Sequence, residues 1–345
     1  MTSAEVTIRG AGILGLSVAW ACARRGARVR VIDPAGIGAG ASGGLVGALA
    51  PFAPEMWNPL KAFQLQSLLM AGGWWNAVER MGGGQSGYRR SGRLQPIANE
   101  TAMQFANDRA EAAKTLWPEA MHWRIIPASG AEWEPYSPSG YLIHDNMSAR
   151  IAPRAALQAL AAAIRSAGSE IAGAGPDEGA VVHAKGLAGL GELSVAFGTM
   201  VGNGQKGQAL LLRYPAGECP QIYTDGVHIV PQPGGMVAVG STSERYWQRE
   251  GPDAQLDSLL ARARSLLPAL ARAPVVERWA GIRPRARSRK PILGPWPGRP
   301  GHFIANGGFK TGFGMAPLAA ESLAALILEN RDEIPDMFRP EALLG

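Results

Sequence analysis

Apolar and polar residues alternate over Val6 and Ile8, the period-two pattern of a short half-buried strand. Gly10-Ala11-Gly12-Ile13-Leu14-Gly15 then opens a run with helical character, which ends near Arg24-Arg25-Gly26. A second strand, Val29 to Ile32, closes on Asp33, so the chain starts as a βαβ unit and its fold class is α/β. Lys61 to Arg80 predicts a helix with Trp74 and Trp75 turned to the core, and Gly82-Gly83-Gly84 breaks it at a plausible domain boundary. Tyr88 to Tyr141 mixes short β-like pieces with a helix around Thr101 to Leu116. An Ala-rich helix over Pro153 to Ala167, the apolar pair Val181-Val182 and the turn Ala184-Lys185-Gly186 read as a return to the first domain. Residues 206 to 242 predict antiparallel strands turning at Asp225-Gly226 and Gly234-Gly235, followed by a helix over 253 to 270. His302 to Ala305 predicts a strand, Asn306 to Gly314 a Gly-rich loop, and Pro317 to Glu329 a final helix.

Length and composition narrow this picture. At 345 residues the chain exceeds the ~250 to 300 at which one hydrophobic core stops growing, so two domains are expected. Hydrophobic residues make up 46% and charged residues 18%, which excludes a disordered chain. The formal charge of +6 leaves an anionic substrate, a nucleic acid or a membrane surface open as partners. Cys22 and Cys219 are too few for a disulfide framework, and the histidines 122, 144, 183, 228 and 302 are scattered, so no metal site is expected. The apolar run Ile13 to Ala23 has signal-peptide length but the wrong charge order around it. No stretch is expected to reach the ~18 apolar residues of a transmembrane segment, since Glu321 and Ser322 interrupt the C-terminal run. A soluble, cytoplasmic protein is the expectation.

The first glycine cluster carries chemistry because of its context. It follows a strand, opens a helix and is followed by Asp33, 23 positions after Gly10. In this dinucleotide fingerprint Gly10 makes the turn, Gly12 admits a pyrophosphate at the helix N-terminus with Ile13 and Leu14 behind it, Gly15 permits close packing, and Asp33 accepts from a ribose. The small residues from Gly36 to Ala48 suit a longer cofactor than NAD: amides of Ala41, Ser42 and Gly43 near the pyrophosphate, those of Gly44, Val46 and Gly47 along an isoalloxazine. A third element, Gly307-Gly308-Phe309-Lys310-Thr311-Gly312, precedes the last helix, whose N-terminus and Lys310 are placed to favour negative charge on a flavin.

With Tyr88-Arg89-Arg90-Ser91-Gly92-Arg93-Leu94, Ile229-Val230-Pro231, Val239-Gly240-Ser241-Thr242, Trp279-Ala280-Gly281-Ile282-Arg283-Pro284, Lys290-Pro291-Ile292-Leu293-Gly294 and Ala316-Pro317, nearly the whole chain resembles the D-amino-acid oxidase family of flavoproteins, in particular its glycine oxidase and sarcosine oxidase-like members. The resemblance implies non-covalent FAD in a Rossmann-type domain (1–82, 145–190 and 286–345), with Gly186 also at the cofactor. It implies an interleaved substrate domain (83–144 and 191–285) on a mixed, largely antiparallel sheet. It further implies that Arg283 grips a substrate carboxylate through its bidentate fork. Where relatives carry a Tyr near that carboxylate this chain has His228, expected to donate a hydrogen bond and to titrate near neutrality.

Two departures stand out: Arg285-Ala286-Arg287-Ser288-Arg289-Lys290 replaces a stretch with an Asp-Gly pair, and Lys185 stands where a Thr is common. The basic run reads as a solvated edge or as an enlargement of the anion site. The resemblance implies oxidation of a C–N bond in a small amino acid or N-substituted glycine by hydride transfer to flavin N5, with O2 or a quinone as electron acceptor and no nucleic acid as partner. Oxidation of a carboxymethylaminomethyl-modified tRNA uridine is an alternative, and a flavin- or nucleotide-binding regulatory module without turnover is another.

Overall fold

The computed structural model describes residues 3–344. Strand β1 (Val6–Arg9), helix α1 (Ile13–Ala23) and β2 (Val29–Ile32) form the initial unit, and a short β3 (Ala48–Leu49) follows the small-residue segment. Every residue of α1 is buried, which explains its signal-like apolarity as that of a core helix. Helix α2 (Pro59–Gly82) is delimited by its ends: the Asn58 side chain accepts from the Lys61 amide at 3.2 Å, Pro59 occupies the first turn, and Gly83 leaves at φ 68°. Trp74 and Trp75 are buried as expected.

After β4 (Arg93–Pro96), α3 (Glu100–Leu116), β5 (Trp123–Pro127), β6 (Tyr141–Asp145) and β7 (Ala149–Arg150), the chain forms α4 (Pro153–Ser166), β8 (Glu170–Ala172) and β9 (Ala180–His183). Helix α5 (Gly186–Ala196) follows without a break, where the sequence predicts only a turn. Strands β10 (Gly202–Arg213), β11 (Gln221–Thr224), β12 (Val227–Gln232) and β13 (Met236–Gly240), helix α6 (Gln255–Leu266) and β14 (Val275–Ala286) come next. The chain then runs through β15 (Ile292–Pro295), β16 (His302–Asn306) and α7 (Gly312–Glu329).

Two main sheets result. One has six strands in the order β15-β16-β9-β1-β2-β8, parallel except for the antiparallel edge β15. The other has eight strands in the order β14-β10-β13-β12-β11-β4-β6-β5, antiparallel except for the β11 and β4 pair. Strand alternation sorts the second sheet into two faces. Leu94, Leu210, Ile222, Ile229 and Val239 pack under α6 with Leu256, Leu259 and Ala263, while the intervening positions turn towards the first sheet.

Two expectations fail at α7. The helix begins at Gly312, five residues before Pro317, because Gly314 and Met315 are drawn into the core against α2 and that burial outweighs the low helix propensity of glycine. The helix is also 18 residues long with mean hydropathy 1.3, so it meets the length and composition of a membrane span. The expectation that no stretch would do so counted Glu321 and Ser322 as an interruption, whereas the helix reaches this measure while carrying two acids, Glu321 and Glu329. Here 56% of the helix is buried inside the protein, between α1 and α2, and Glu321 pairs with Arg25 at 2.8 Å.

Candidate active site

Between the two sheets lies a cavity of about 880 Å³. Three helix N-termini open onto it: Gly12 to Leu14 of α1, Gly186 of α5, and Thr311 and Gly312 of α7. None is capped by the side chain of its own N-cap residue or has an acid in its first turn, so the partial positive charge of each faces the cavity. Of the first amides, Ile13 N donates to Ser42 Oγ at 3.0 Å. Asp33 lines the cavity beyond them, accepting from the Ala11 amide at 2.8 Å and the Ala35 amide at 3.0 Å.

Of the residues singled out in the sequence, the structure brings Gly12, Ile13, Leu14, Asp33, Ala41, Ser42, Gly44, Val46, Gly47, Gly186, His228, Arg283, Gly308, Phe309, Lys310, Thr311 and Gly312 onto this one cavity. Gly10, Gly15 and Gly43 do not line it. A Cβ on Gly10 would stand 2.4 Å from Ala184 O, one on Gly15 2.0 Å from Gly10 O, and one on Gly43 2.2 Å from Gly38 O. These three are glycine because backbone passes backbone, not because they meet a ligand. The donor set fits a dinucleotide: amides at uncapped helix ends for phosphates, one carboxylate at ribose distance along the fingerprint, and small residues where a flat ring must approach the chain.

The eight-stranded sheet supplies the other wall through side chains. Arg283 on β14 lies over Gly207 of the neighbouring β10, where a Cβ would fall 1.9 Å from the guanidinium. Its Nη2 donates to Ser241 Oγ at 2.7 Å and its Nη1 to Thr242 O at 3.2 Å. It forms no ion pair with a described residue, and Glu244, whose charge acts on it, is engaged by Lys206 at 3.6 Å. Burial pushes the guanidinium down to about 10, which leaves it charged at neutral pH. Lys310 likewise has no carboxylate partner among the described residues and is lowered by burial and by Arg283. Two unneutralised cations therefore face one cavity.

His228 departs from expectation. Burial, reinforced by the charges of Arg93, Lys310 and Arg283, pushes its imidazole down to about 3, so it is neutral at pH 7 and does not titrate near neutrality. Its Nδ1 is buried without a partner, and its ring packs on Tyr223 with centroids 4.6 Å apart. The basic run also resolves differently from the anion-site reading. Only Arg283 reaches the cavity, while Arg285 sits over the outer ring of Phe309 at 5.8 Å, Arg287 donates to Leu343 O, and Arg287 and Arg289 are exposed. Sequence reasoning missed Arg93, Gln95, Trp123, Tyr223 and Ser241, which also line the cavity. The available signal was the alternation Arg93-Leu94-Gln95, whose polar positions share one face of β4.

A family model for FAD-dependent oxidoreductases, named DAO, matches residues 5–326, almost the whole chain. The chain belongs to the DAO family. FAD is accordingly the protein's cofactor, and the mixed α/β fold with a Rossmann-type half is that of the DAO family. The chain is 25% identical to the glycine oxidase of Geobacillus kaustophilus, covering 94% of this chain and 92% of that protein. The crystal structure of glycine oxidase from the same organism superposes with a TM-score of 0.84 over 98% of both chains at 24% identity, a likeness of fold. Iminodiacetate oxidase from Chelativorans sp. BNC1 superposes with a TM-score of 0.84 at 25% identity, over 97% of this chain and 98% of that one. The bifunctional protein ThiO/ThiG of Synechocystis is 27% identical over 99% of this chain, which spans about half (54%) of that relative's length.

Proposed function

We propose that this DAO-family protein oxidises the C–N bond of a small amino acid or N-substituted glycine. The observation that carries the reading is Arg283, a buried guanidinium without a carboxylate partner, held by Ser241 and Thr242 and aimed into the cavity that the dinucleotide cradle shares. A substrate carboxylate completes that pairing with two parallel charge-assisted bonds, each worth roughly 1.5 to 3 kcal/mol. The anchored carboxylate fixes the α-carbon in the space between the sheet and the cofactor. Bound FAD would supply the two-electron acceptor for a hydride leaving the amine's carbon.

The residues do the rest by orientation and charge. Burial, helped by the three surrounding cations, keeps His228 neutral, so it offers a hydrogen-bonding edge and no competing positive charge. They also lower the proton affinity of a bound amine, favouring the neutral form from which hydride can leave. Loss of the N–H proton gives the imine, which water hydrolyses to the oxo acid and an amine or ammonia. Gly12 and Asp33 would hold the dinucleotide in the segments proposed as the FAD domain, with Gly10 and Gly15 keeping the turn and helix close enough to do so, and Gly44 to Gly47 would flank the ring. The names of the glycine oxidase and iminodiacetate oxidase relatives point to the same substrate class. The scattering of Arg285, Arg287 and Arg289 away from the cavity gives an RNA substrate no basic stripe to follow. A reducing, cytoplasmic setting suits Cys22 and Cys219, both free thiols.

The test is flavin reduction by a panel of glycine, sarcosine, proline and D-amino acids. At least one is expected to reduce the wild-type flavin in wild-type protein and not in Arg283→Met.

A further inference from the structure

The far end of the cavity from Arg283 holds a second group of polar side chains that the reading above does not use. Arg93 and Gln95 alternate with Leu94 on β4, so both turn to the cavity while Leu94 joins the core under α6. Arg93 is 5% exposed, its Nε donates to the buried Asp145 at 2.8 Å, and its guanidinium lies 5.7 Å from the Trp123 ring and 6.0 Å from that of Tyr223. The two Nη groups donate to no acceptor among the described residues. Gln95 Nε2 is buried without a partner as well. A buried donor is costly to leave unpaired, so a spot that keeps such donors together is prepared for an acceptor.

The register places this group opposite the carboxylate anchor. His228 on β12 faces Tyr223 on β11, next to β4, while β13 and β10 separate it from β14 on the other side. The Arg283 guanidinium already leans back over β10. Arg283 and Arg93 thus act on His228 from opposite sides, from strands five places apart in the sheet order, and Lys310 joins them.

We propose that the cavity takes a dicarboxylic amine, its first carboxylate on Arg283 and its second on the Arg93 Nη groups and Gln95 Nε2. This deepens the amine-oxidation reading and rests on it for the chemistry, though the binding claim stands separately. The charges of Arg93, Lys310 and Arg283 that converge on His228 act in the same direction, since a doubly anionic ligand is what they would neutralise.

The test uses FAD-loaded protein and non-oxidisable acids, so that binding is read without turnover. Perturbation of the flavin spectrum and thermal shift are followed with malonate, succinate, glutarate and adipate against acetate, propionate and butyrate. Glutarate or adipate is expected to bind at least ~10-fold more tightly than butyrate, with affinity rising along the diacid series. Arg93→Gln removes that margin, and Arg93→Lys, which keeps a cation beside Asp145, restores part of it. Equal binding of diacids and monoacids by wild-type protein overturns the proposal even if Arg93→Gln fails to fold. Turnover then separates the two readings. Iminodiacetate and D-glutamate are expected to exceed sarcosine and D-alanine in kcat/KM by at least ~10-fold. Diacid selectivity with no amine reducing the flavin overturns the reaction and leaves the binding claim, whereas sarcosine turnover without diacid preference overturns the binding claim alone.

Discussion

The two walls of the cavity are built by opposite means. The wall from the six-stranded sheet is made of backbone: helix N-termini, close chain crossings and glycines whose missing side chains leave room for another strand or a ligand. The wall from the eight-stranded sheet is made of side chains, Arg93, Gln95, Tyr223, His228 and Arg283, drawn from β4, the β11–β12 hairpin and β14 and turned inward by the sheet's alternation. Backbone contacts recognise what all dinucleotides share, while side-chain contacts distinguish one small acid from another. On the proposed assignment the cofactor wall should tolerate almost no change at its crossings, and the substrate wall should be alterable while the cofactor stays bound.

The sharpest test of that contrast is Gly15→Val. A Cβ there lies 2.0 Å from the Gly10 carbonyl oxygen, and a β-branched side chain has no rotamer that avoids it. We expect a loss of more than ~4 kcal/mol of stability and no FAD-loaded protein, read by thermal melting and flavin absorbance. Arg283→Met is expected to keep FAD and lower kcat/KM by ~10³-fold or more, with Arg283→Lys recovering only part because an ammonium lacks the planar fork. Gly207→Ala reaches the same guanidinium from behind, since its Cβ would occupy the space 1.9 Å from Arg283 Nη1. A ~10- to 100-fold fall in kcat/KM with FAD content retained is expected from steady-state assays of that variant. On the cofactor wall, Asp33→Asn removes a charged acceptor and is expected to weaken FAD binding about tenfold in fluorescence titration.

The smallest effect concerns acid. The His228 imidazole is held near 3 and that of His183 near 4, both below the ordinary 6.5, by burial and neighbouring cations. A depressed histidine contributes stability that is intact above the unfolded value and is lost as pH falls through the folded one. Melting temperature is therefore expected to fall progressively below pH ~6.5 towards pH ~4, with a shallower slope in His228→Phe. An acid limb of kcat/KM near neutrality that vanished in His228→Phe would contradict the neutral imidazole.

How much could be read from the sequence follows the same division. The cradle was legible because a tight crossing demands glycine at fixed spacing, and fixed spacing survives as a written motif, with Asp33 at the end of β2. Even there, the motif did not separate glycines that line the cavity, such as Gly12, from those that meet only backbone, such as Gly10 and Gly15. Arg283 was reached through family resemblance and not through its surroundings. Arg93 and Tyr223 were not assigned because their place on the cavity depends on which strands adjoin in a sheet with the order β14-β10-β13-β12-β11-β4-β6-β5, and strand order is a long-range property. The shift of His228 was hidden for the same reason, since the cations that depress it come from β4, β14 and the loop before α7. Helix α5 went unseen because glycines at 186, 189 and 191 argue against a helix locally, and burial of Leu190 and Leu193 overrides them.

The central claim is that one cavity joins a backbone-built FAD cradle to an arginine that anchors an amine-bearing acid. Anaerobic titration of the purified flavoprotein with glycine, sarcosine and dicarboxylic amines, followed at about 450 nm, tests it most directly. The account predicts bleaching of the wild-type flavin by at least one of these amines and an unbleached, fully FAD-loaded Arg283→Met variant. Protein that binds no flavin, or an Arg283→Met variant reduced as readily as wild type, would contradict it.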